Sequence, residues 1–458
     1  MKRYSVRLTG LTITNYKNVV NGTLSFENPR KPFCASVLGL YGQNGSGKTV
    51  LIDALQLLKY VLSSTPLPSD EADWINVEAE SSSFTYEFLL DRENGGIFLS
   101  YSFTLRREND ESSGGYRPVI CDEVIRCSSF SSRRGRIIRI LDTTQPAVIG
   151  PQVKKNLFFT KENETDLIVT KKITFQQSLS FLFSPSLRSL IAAGSGRKDL
   201  SQSERDEIRY CSDLLESLVN YGKNSLFIVN SRSNEVMKIA SLPGDGLCGV
   251  LTLPLEESAL VPERQLDAVD RVIRSMNTVL TVLVPGLTLS IRKTGTEVMQ
   301  SGENGSRIVL MRNRYSHTLP LKYESEGIKK IISILQLLIA VYNDDSVTVA
   351  VDELDCGIFE YLLGEIVRII SEKGKGQLIF TSHNLRPLET LDKGFVAFTT
   401  TNEEKRYIRL SNVKATNNLR DFYYRDIMLG GQNEKLYDET RSAEIAFAFR
   451  EAGEENEA

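Results

Sequence analysis

No C-x-x-C pair occurs among the six cysteines, Cys34, Cys121, Cys127, Cys211, Cys248 and Cys356, and none has metal-ligand spacing. They read as reduced thiols of a cytosolic protein, not as a disulfide framework or a zinc centre. No stretch approaches the ~18 apolar residues that a membrane span requires. The start, Met1-Lys2-Arg3-Tyr4-Ser5-Val6-Arg7, has no apolar signal core. A cytoplasmic protein without membrane attachment is therefore expected. Charge of one sign is scarce too. The net charge is −3, so no global basic field holds nucleic acid, and any such contact is local. Long heptad runs are missing from 176–285, so an extended coiled-coil arm is not expected there. Internal repeats are also missing.

What is present is the composition of an ordinary globular protein, 41% hydrophobic and 25% charged over 458 residues. That length allows two or three domains, or one large domain with an insertion. The stretch Gly42-Gln43-Asn44-Gly45-Ser46-Gly47-Lys48-Thr49 fits G-x-x-x-x-G-K-[ST], the P-loop. An apolar run, Ala35 to Tyr41, reads as a buried strand leading into it. Leu51, Ile52, Ala54, Leu55, Leu57, Leu58 and Val61 recur at helical spacing after it. Strand, glycine loop and helix suit a nucleoside triphosphate. Glycines let backbone N–H groups of the loop, with Asn44, Gly45, Ser46 and Gly47 at its centre, wrap the phosphates. The helix N-terminus adds partial positive charge. Lys48 is expected to reach the β- and γ-phosphates and Thr49 to hold Mg²⁺.

Strands are expected at 5–14, 22–28 and 34–41. Alternating runs at 84–90, 97–105 and 119–125, separated by glycine loops, read as an antiparallel meander. Further strands are expected at 136–141 and 166–175. From 176 to 285 the texture turns helical, with patterns opening near Ser203 and Glu263 and a Gly/Ser-rich stretch at 190–203. That segment reads as a helical insertion that protrudes from the rest. Strands return at 287–291 and 307–311, followed by an apolar helix from Ile328 to Tyr342. Glu451 to Ala458 reads as a frayed acidic tail.

Val347 to Val351 is a buried strand ending in Asp352-Glu353, a Walker B pattern. Asp352 is expected to hold Mg²⁺, and Glu353 to act as general base or water-positioner. A bare strand end with an exposed acidic pair is the plainer alternative. His383 closes another buried strand within Thr381-Ser382-His383-Asn384. Open α/β sheets place ligands at the carboxyl ends of strands, so His383 is a candidate γ-phosphate sensor. Ser325-Glu326-Gly327 precedes the apolar helix. Either Ser325 is a simple N-cap, or this helix start binds the γ-phosphate held by a second subunit.

The order of these parts resembles the ABC-type ATPases of the RecF/SMC/OLD kind. The residues that carry it are Ile13-Thr14-Asn15-Tyr16-Lys17, the G-Q-N-G-S-G-K-T loop, S-E-G at 325–327, D-E-L-D at 352–355 and T-S-H-N at 381–384. Within that group it is similar to the stand-alone AAA-type ATPases of bacterial anti-phage systems (AbiL, PARIS and Septu). The resemblance covers roughly 1–175 and 285–440. It implies an α/β P-loop head, a mixed sheet plus an antiparallel β subdomain, with an inserted helical region. The expected division is 1–175, 176–285 and 286–458. It also places Ser325 and Gly327 in a signature motif, Asp355 in a D-loop facing a dimer partner, and His383 in a switch loop. The signature lacks the L-S-G-G-Q form of transporters, and no Q-loop glutamine is assigned. Only 75 residues (458 − 383) follow His383, without a D-x-D spaced for a nuclease, so no nuclease of its own is expected.

Two functions follow. In the first, the chain binds and hydrolyses ATP with Mg²⁺ as a sensor or scaffold of phage defence. It forms a head-to-head dimer or higher homo-oligomer and controls a separate effector such as a nuclease or toxin. In the second, it is a repair or chromosome-maintenance ATPase binding DNA through Arg106-Arg107, Arg133-Arg134-Gly135-Arg136 with Arg139, Lys154-Lys155 or Lys171-Lys172. The plainer reading of those clusters, and the favoured one, is a solvated face. DNA or a phage protein is a possible partner in either case.

Overall fold

The computed structural model describes residues 4–28, 36–91, 96–110, 114–130, 135–144, 148–230, 236–239, 251–315, 317–411, 413, 418–439 and 441–454. Cys34, Cys248, Arg133 and Arg134 lie outside the described residues, as do 455–458 of the tail.

Strands β1 (Ser5–Tyr16) and β2 (Val19–Ser25) form a hairpin. Its turn holds Asn15 and Lys17 in left-handed backbone, at φ 56° and 52°. Lysine rarely adopts that conformation. Here the Lys17 N–H donates to the Trp74 carbonyl at 2.6 Å, and its ammonium pairs with Asp53 at 2.5 Å and lies 3.7 Å from the Trp74 ring centroid. Strand β3 (Ser36–Tyr41) is buried beyond its first residue and leads into the P-loop, and α1 (Lys48–Ser63) leaves it.

In β4 (Ser81–Asp91) and β5 (Gly96–Asp110) the apolar alternation is obeyed closely. Phe84, Tyr86, Phe88 and Leu90 share the buried face with Leu99, Tyr101, Phe103 and Leu105. Phe84 and Phe103 stack with centroids 5.2 Å apart. With β6 (Gly115–Phe130) and β7 (Ile138–Asp142) they complete an antiparallel sheet in the order β2-β1-β4-β5-β6-β7. The Tyr86 hydroxyl donates to the Ala54 carbonyl at 2.7 Å, tying this sheet to α1.

Helices α2 (Gln152–Phe158), α3 (Asn163–Gln176), α4 (Pro185–Gly194) and α5 (Gln202–Asn220) follow. The strand expected at 166–175 is therefore corrected to helix. Its β-branched residues Ile168, Val169, Thr170 and Ile173 mimic a strand. Glu164 and Asp166 instead occupy a helical first turn, and the buried residues Leu167 and Thr174 lie one heptad apart. The Gly/Ser-rich stretch is ordered by bonds. Arg197 donates to the carbonyls of Asn156 and Leu157, and Ser201 with Glu204 forms a capping box on α5.

The expectation of a helical insertion over 176–285 is corrected in part. Besides α4, α5 and α6 (Glu263–Leu283), the segment contains β8 (Leu226–Val229), β9 (Val236–Ile239), β10 (Leu251–Pro254) and β11 (Ala259–Pro262). Strand β8 pairs in parallel with β15 (Thr348–Val351), so the segment contributes a strand to the nucleotide-binding sheet itself. A four-residue apolar run has too little length to show its period.

The remainder comprises β12 (Leu287–Val298), β13 (Asn304–Arg314), β14 (His317–Pro320), α7 (Glu326–Asn343), α8 (Glu360–Lys373), β16 (Gln377–Thr381), α9 (Arg386–Thr390), β17 (Val396–Thr399), β18 (Tyr407–Ile408), α10 (Leu419–Leu429) and α11 (Ser442–Glu454). The acidic end is thus helical through Glu454, not frayed from Glu451. Strands β11 to β14 form a second antiparallel sheet, and the central sheet runs β18-β17-β3-β16-β15-β8, parallel except for β18. One face of it (Leu38, Leu40, Ala350, Ile379) shares a core with α1 and the first sheet. The other face (Val37, Tyr41, Val349, Val351, Leu378, Phe380) packs with α6, α7 and α8. This is a mixed α/β P-loop head with an antiparallel β subdomain, as the sequence implies. Because β3, β15 and β16 are parallel, their carboxyl ends meet along one edge.

A buried carboxylate beside the hairpin gives a stability prediction. Glu71 is 1% exposed and accepts a hydrogen bond from the Tyr16 hydroxyl at 2.9 Å. Burial pushes its pKa up to about 8, although the Tyr16 bond works the other way. The folded state therefore holds the proton more tightly than the unfolded chain. The resulting stability is complete below the unfolded value of 4.5 and is lost as pH rises through about 8. We expect the melting temperature to fall between pH 5 and pH 8.5, and Glu71→Gln to flatten that slope. Equal slopes in thermal unfolding of both proteins would remove Glu71 as the cause.

Candidate functional site

At the edge where β3, β15 and β16 end lies a cleft of about 420 Å³, within the usual range for a ligand pocket. Its walls are the P-loop residues Asn44, Gly45, Gly47, Lys48 and Thr49, the acidic pair Asp352 and Glu353, and Thr381 and His383. The sequence-predicted residues from three distant segments are thus brought together. Gly42 and Ser46 shape the loop from behind. A Cβ on Gly42, at φ 156°, would stand 1.7 Å from the Thr399 hydroxyl oxygen, so only glycine fits there. The Ser46 hydroxyl bonds the Gln43 carbonyl at 2.6 Å and pairs with the Thr399 hydroxyl at 2.5 Å.

Lys48 is 7% exposed, and its ammonium donates to the carbonyls of Gly42 and Gln43, each at 2.8 Å. Burial lowers its pKa, while Asp352, Glu353 and Asp355 act in the opposite direction. A buried cation among backbone N–H groups is a receptor for an anion. Asp352 is buried, and its Oδ1 accepts from the Thr381 hydroxyl at 2.6 Å. The same Thr381 oxygen accepts the Glu353 N–H at 2.8 Å. Thr381 therefore fixes both members of the acidic pair. Glu353 sits at φ 49°, a left-handed conformation that costs a non-glycine residue energy. In that conformation Glu353 lines the cleft.

Thr49 and Asp352 offer one hydroxyl and one carboxylate beside the phosphate loop. Mg²⁺ typically takes such a sparse oxygen set and completes its shell with phosphate and water. The donor set fits that ion. Among the described residues no cluster of three or more His, Cys, Asp or Glu forms a closed metal cage.

Asp355 links the acidic pair to the histidine loop. Its Oδ2 accepts the backbone N–H groups of His383 and Asn384, at 3.1 and 3.0 Å. His383 itself is exposed on the cleft. Ser325 and Gly327 do not line the cleft. Ser325 stands at the N-cap of α7 with no side-chain cap bond, so the simple capping expectation is not met. Gly327 packs on the turn after Asp355. A Cβ there would stand 2.0 Å from the Gly357 carbonyl oxygen.

Three contributors were not singled out from sequence. Asn18 lines the cleft, and its side-chain amide donates to the Gly45 carbonyl. Thr381 organises the acids, and Lys330 on α7 is buried. Burial lowers the Lys330 pKa, opposed by Cys356, Asp352, Glu353 and Asp355. The position of Asn18 in the hairpin turn, and of Thr381 at a buried strand end, are the signals that could have marked them.

Residues 37–389 match the family described as "AAA domain, putative AbiEii toxin, Type IV TA system". The chain belongs to this family. The P-loop, the acidic pair and the central parallel sheet described above agree with that assignment. A stretch of 52 residues is 44% identical to the DNA replication and repair protein RecF of Deinococcus radiodurans, spanning 11% of this chain and 12% of that protein. The Smc head domain of Pyrococcus furiosus, solved with an extended coiled coil and the C-terminal domain of ScpA, is 12% identical. The match covers 91% of this chain and all of that one, at a TM-score of 0.41. A RecF–ATP structure from the RecFOR pathway is 14% identical over 89% of this chain and all of that one, at 0.39. The fold assignment rests on the family and the sheets above, not on these distant likenesses.

In this AAA-family chain the basic clusters are largely committed. Arg106 pairs with Asp122 at 2.8 Å, Arg139 with Asp142 at 2.5 Å, Lys155 with Glu164 at 2.6 Å, and Lys154 with Glu207. Arg107 donates to the Ala72 and Ile75 carbonyls, and Lys171 to the Val148 carbonyl. Among the described residues, no helix is long and apolar enough to cross a membrane.

Proposed function

We propose that the chain binds Mg²⁺-ATP, hydrolyses it, and uses the cycle as a nucleotide-gated sensor or scaffold in bacterial anti-phage defence. The observation that carries the ATPase reading is the single cleft uniting Lys48, Thr49, Asp352, Glu353 and His383. In this reading Lys48 and the loop N–H groups hold the β- and γ-phosphates, and Thr49 with Asp352 holds Mg²⁺. The ion, when bound, neutralises charge developing on the phosphates. Glu353 accepts the proton of the attacking water or orients it. His383 donates to the γ-phosphate. Ser325 and the N–H groups near Gly327 lie outside the cleft of their own chain, so they serve a second copy's nucleotide across a head-to-head pair. The γ-phosphate then joins the two heads, and its loss loosens them.

The defence role gains support from the family description and from the ion pairs that occupy much of the basic surface. A separate nuclease or toxin is the effector this reading requires. Cells carrying the chain with its flanking genes are expected to resist phage, and Lys48→Ala to abolish that resistance. Plating efficiency decides it. Equal plating with and without the genes, across a broad phage panel, contradicts the defence role. Tight DNA binding by the purified chain would instead favour a repair or chromosome-maintenance ATPase, the role suggested by the short RecF likeness.

A further inference from the structure

After α10 the chain turns back to Gln43 of the P-loop. Gln432 bonds Asp426 at 2.7 Å and the Ser411 N–H at 2.9 Å. Glu434 pairs with Lys405 at 3.0 Å, and the Lys435 carbonyl accepts the Thr401 N–H at 2.9 Å. Leu436 is 3% exposed and anchors the segment in the core. Tyr437 then shares a small cleft of about 140 Å³ with Tyr41, Gly42, Gln43, Ser382 and His383. At the end of this run the Asp438 N–H donates to the side-chain oxygen of Gln43 at 3.0 Å. Helix α11 follows, with Ile445, Phe447 and Phe449 exposed.

We infer that residues 431–438 are a strap that reports occupancy of the P-loop to α11. The inference rests on the nucleotide reading above and adds a regulatory output to it. Gln43 is the junction. Its carbonyl accepts from the Lys48 ammonium and the Ser46 hydroxyl, and its side chain accepts from Asp438. A phosphate in the loop competes for the Lys48 ammonium. The Gln43 carbonyl then loses its charged donor, the strongest of its bonds, and the residue is freer to turn. Turning Gln43 breaks the Asp438 bond, so the strap loosens and α11 with it. An isolated helix of 13 residues is marginal in water, so the stability of α11 depends on what holds its N-terminal side. By linkage, breaking the strap must tighten nucleotide binding by the factor with which nucleotide loosens the strap.

Hydrogen–deuterium exchange of the full chain, with and without saturating Mg²⁺-ATPγS, tests this, with binding measured on the same samples. Exchange across 431–438 and α11 is expected to quicken at least about fivefold with ATPγS, the low end of typical coupling. Peptides from β3 and β15 serve as the control for intact folding. Asp438→Pro removes the donor, and Leu436→Ala unseats the anchor without touching the P-loop. Each is expected to bind ATPγS about fivefold more tightly and to show fast strap exchange from the outset. Unchanged or slowed exchange in a wild-type chain that binds ATPγS overturns the strap alone. A wild-type chain that binds no ATPγS overturns the strap and the nucleotide reading together.

Discussion

Lys48→Ala is expected to weaken ATP binding at least about a hundredfold. Hydrogen bonds to charged groups are worth about 1.5–3 kcal/mol each, and a triphosphate in the loop receives two or more from this ammonium. Lys48 is buried in the loop, where burial already disfavours its charge. That cost is tolerated at a site whose ligand brings compensating negative charge. The alanine variant removes the cation without opening the hydrophobic core, because the ammonium is held by loop carbonyls. Its melting temperature without nucleotide should stay near that of wild type. Titration with a fluorescent ATP analogue reads the difference. Wild-type affinity would mean that the loop is not the phosphate site.

Glu353→Gln separates chemistry from binding. The amide keeps the size and the left-handed backbone of Glu353 but cannot accept a proton from water. General-base catalysis contributes about 10²–10⁴-fold, so turnover should fall by that factor while ATP affinity stays within a few-fold of wild type. ATP should remain bound, and the paired state should accumulate. The Thr381 bonds to Asp352 and to the Glu353 N–H are untouched by the change, so the cleft geometry persists. Equal turnover of the variant and wild type in a phosphate-release assay would transfer the catalytic role to another group.

The P-loop and the acidic pair were legible because each is local, a few consecutive residues between an apolar strand and a helix. The first sheet was legible because Phe84 to Leu90 and Ile97 to Leu105 alternate cleanly with polar neighbours. Helix α3 was misread, since Ile168, Val169 and Ile173 are exposed and carry no inward helical stripe. Strand β8 was hidden because Leu226 to Val229 is buried on both faces and too short to show a period. The roles of Thr381 and Asn18 exist only through tertiary contact with residues far away in the chain. The run 431–438 has no periodicity at all, and its meaning comes from Gln43, nearly four hundred positions earlier.

ATP turnover by Ser325→Arg tests the composite site most directly. Ser325 is exposed at the start of α7 and outside its own chain's cleft, so arginine there leaves Lys48 and Thr49 untouched. The isolated variant should bind ATP like wild type but neither pair with a second copy nor hydrolyse. Mixed with Lys48→Ala, it should regain activity, at most one working site per pair, because one protein keeps an intact P-loop and the other an intact Ser325. Steady-state phosphate release from each protein alone and from the mixture is the measurement. The expected result is little turnover alone and partial turnover together. Wild-type turnover by Ser325→Arg alone would show that the site is complete within one chain.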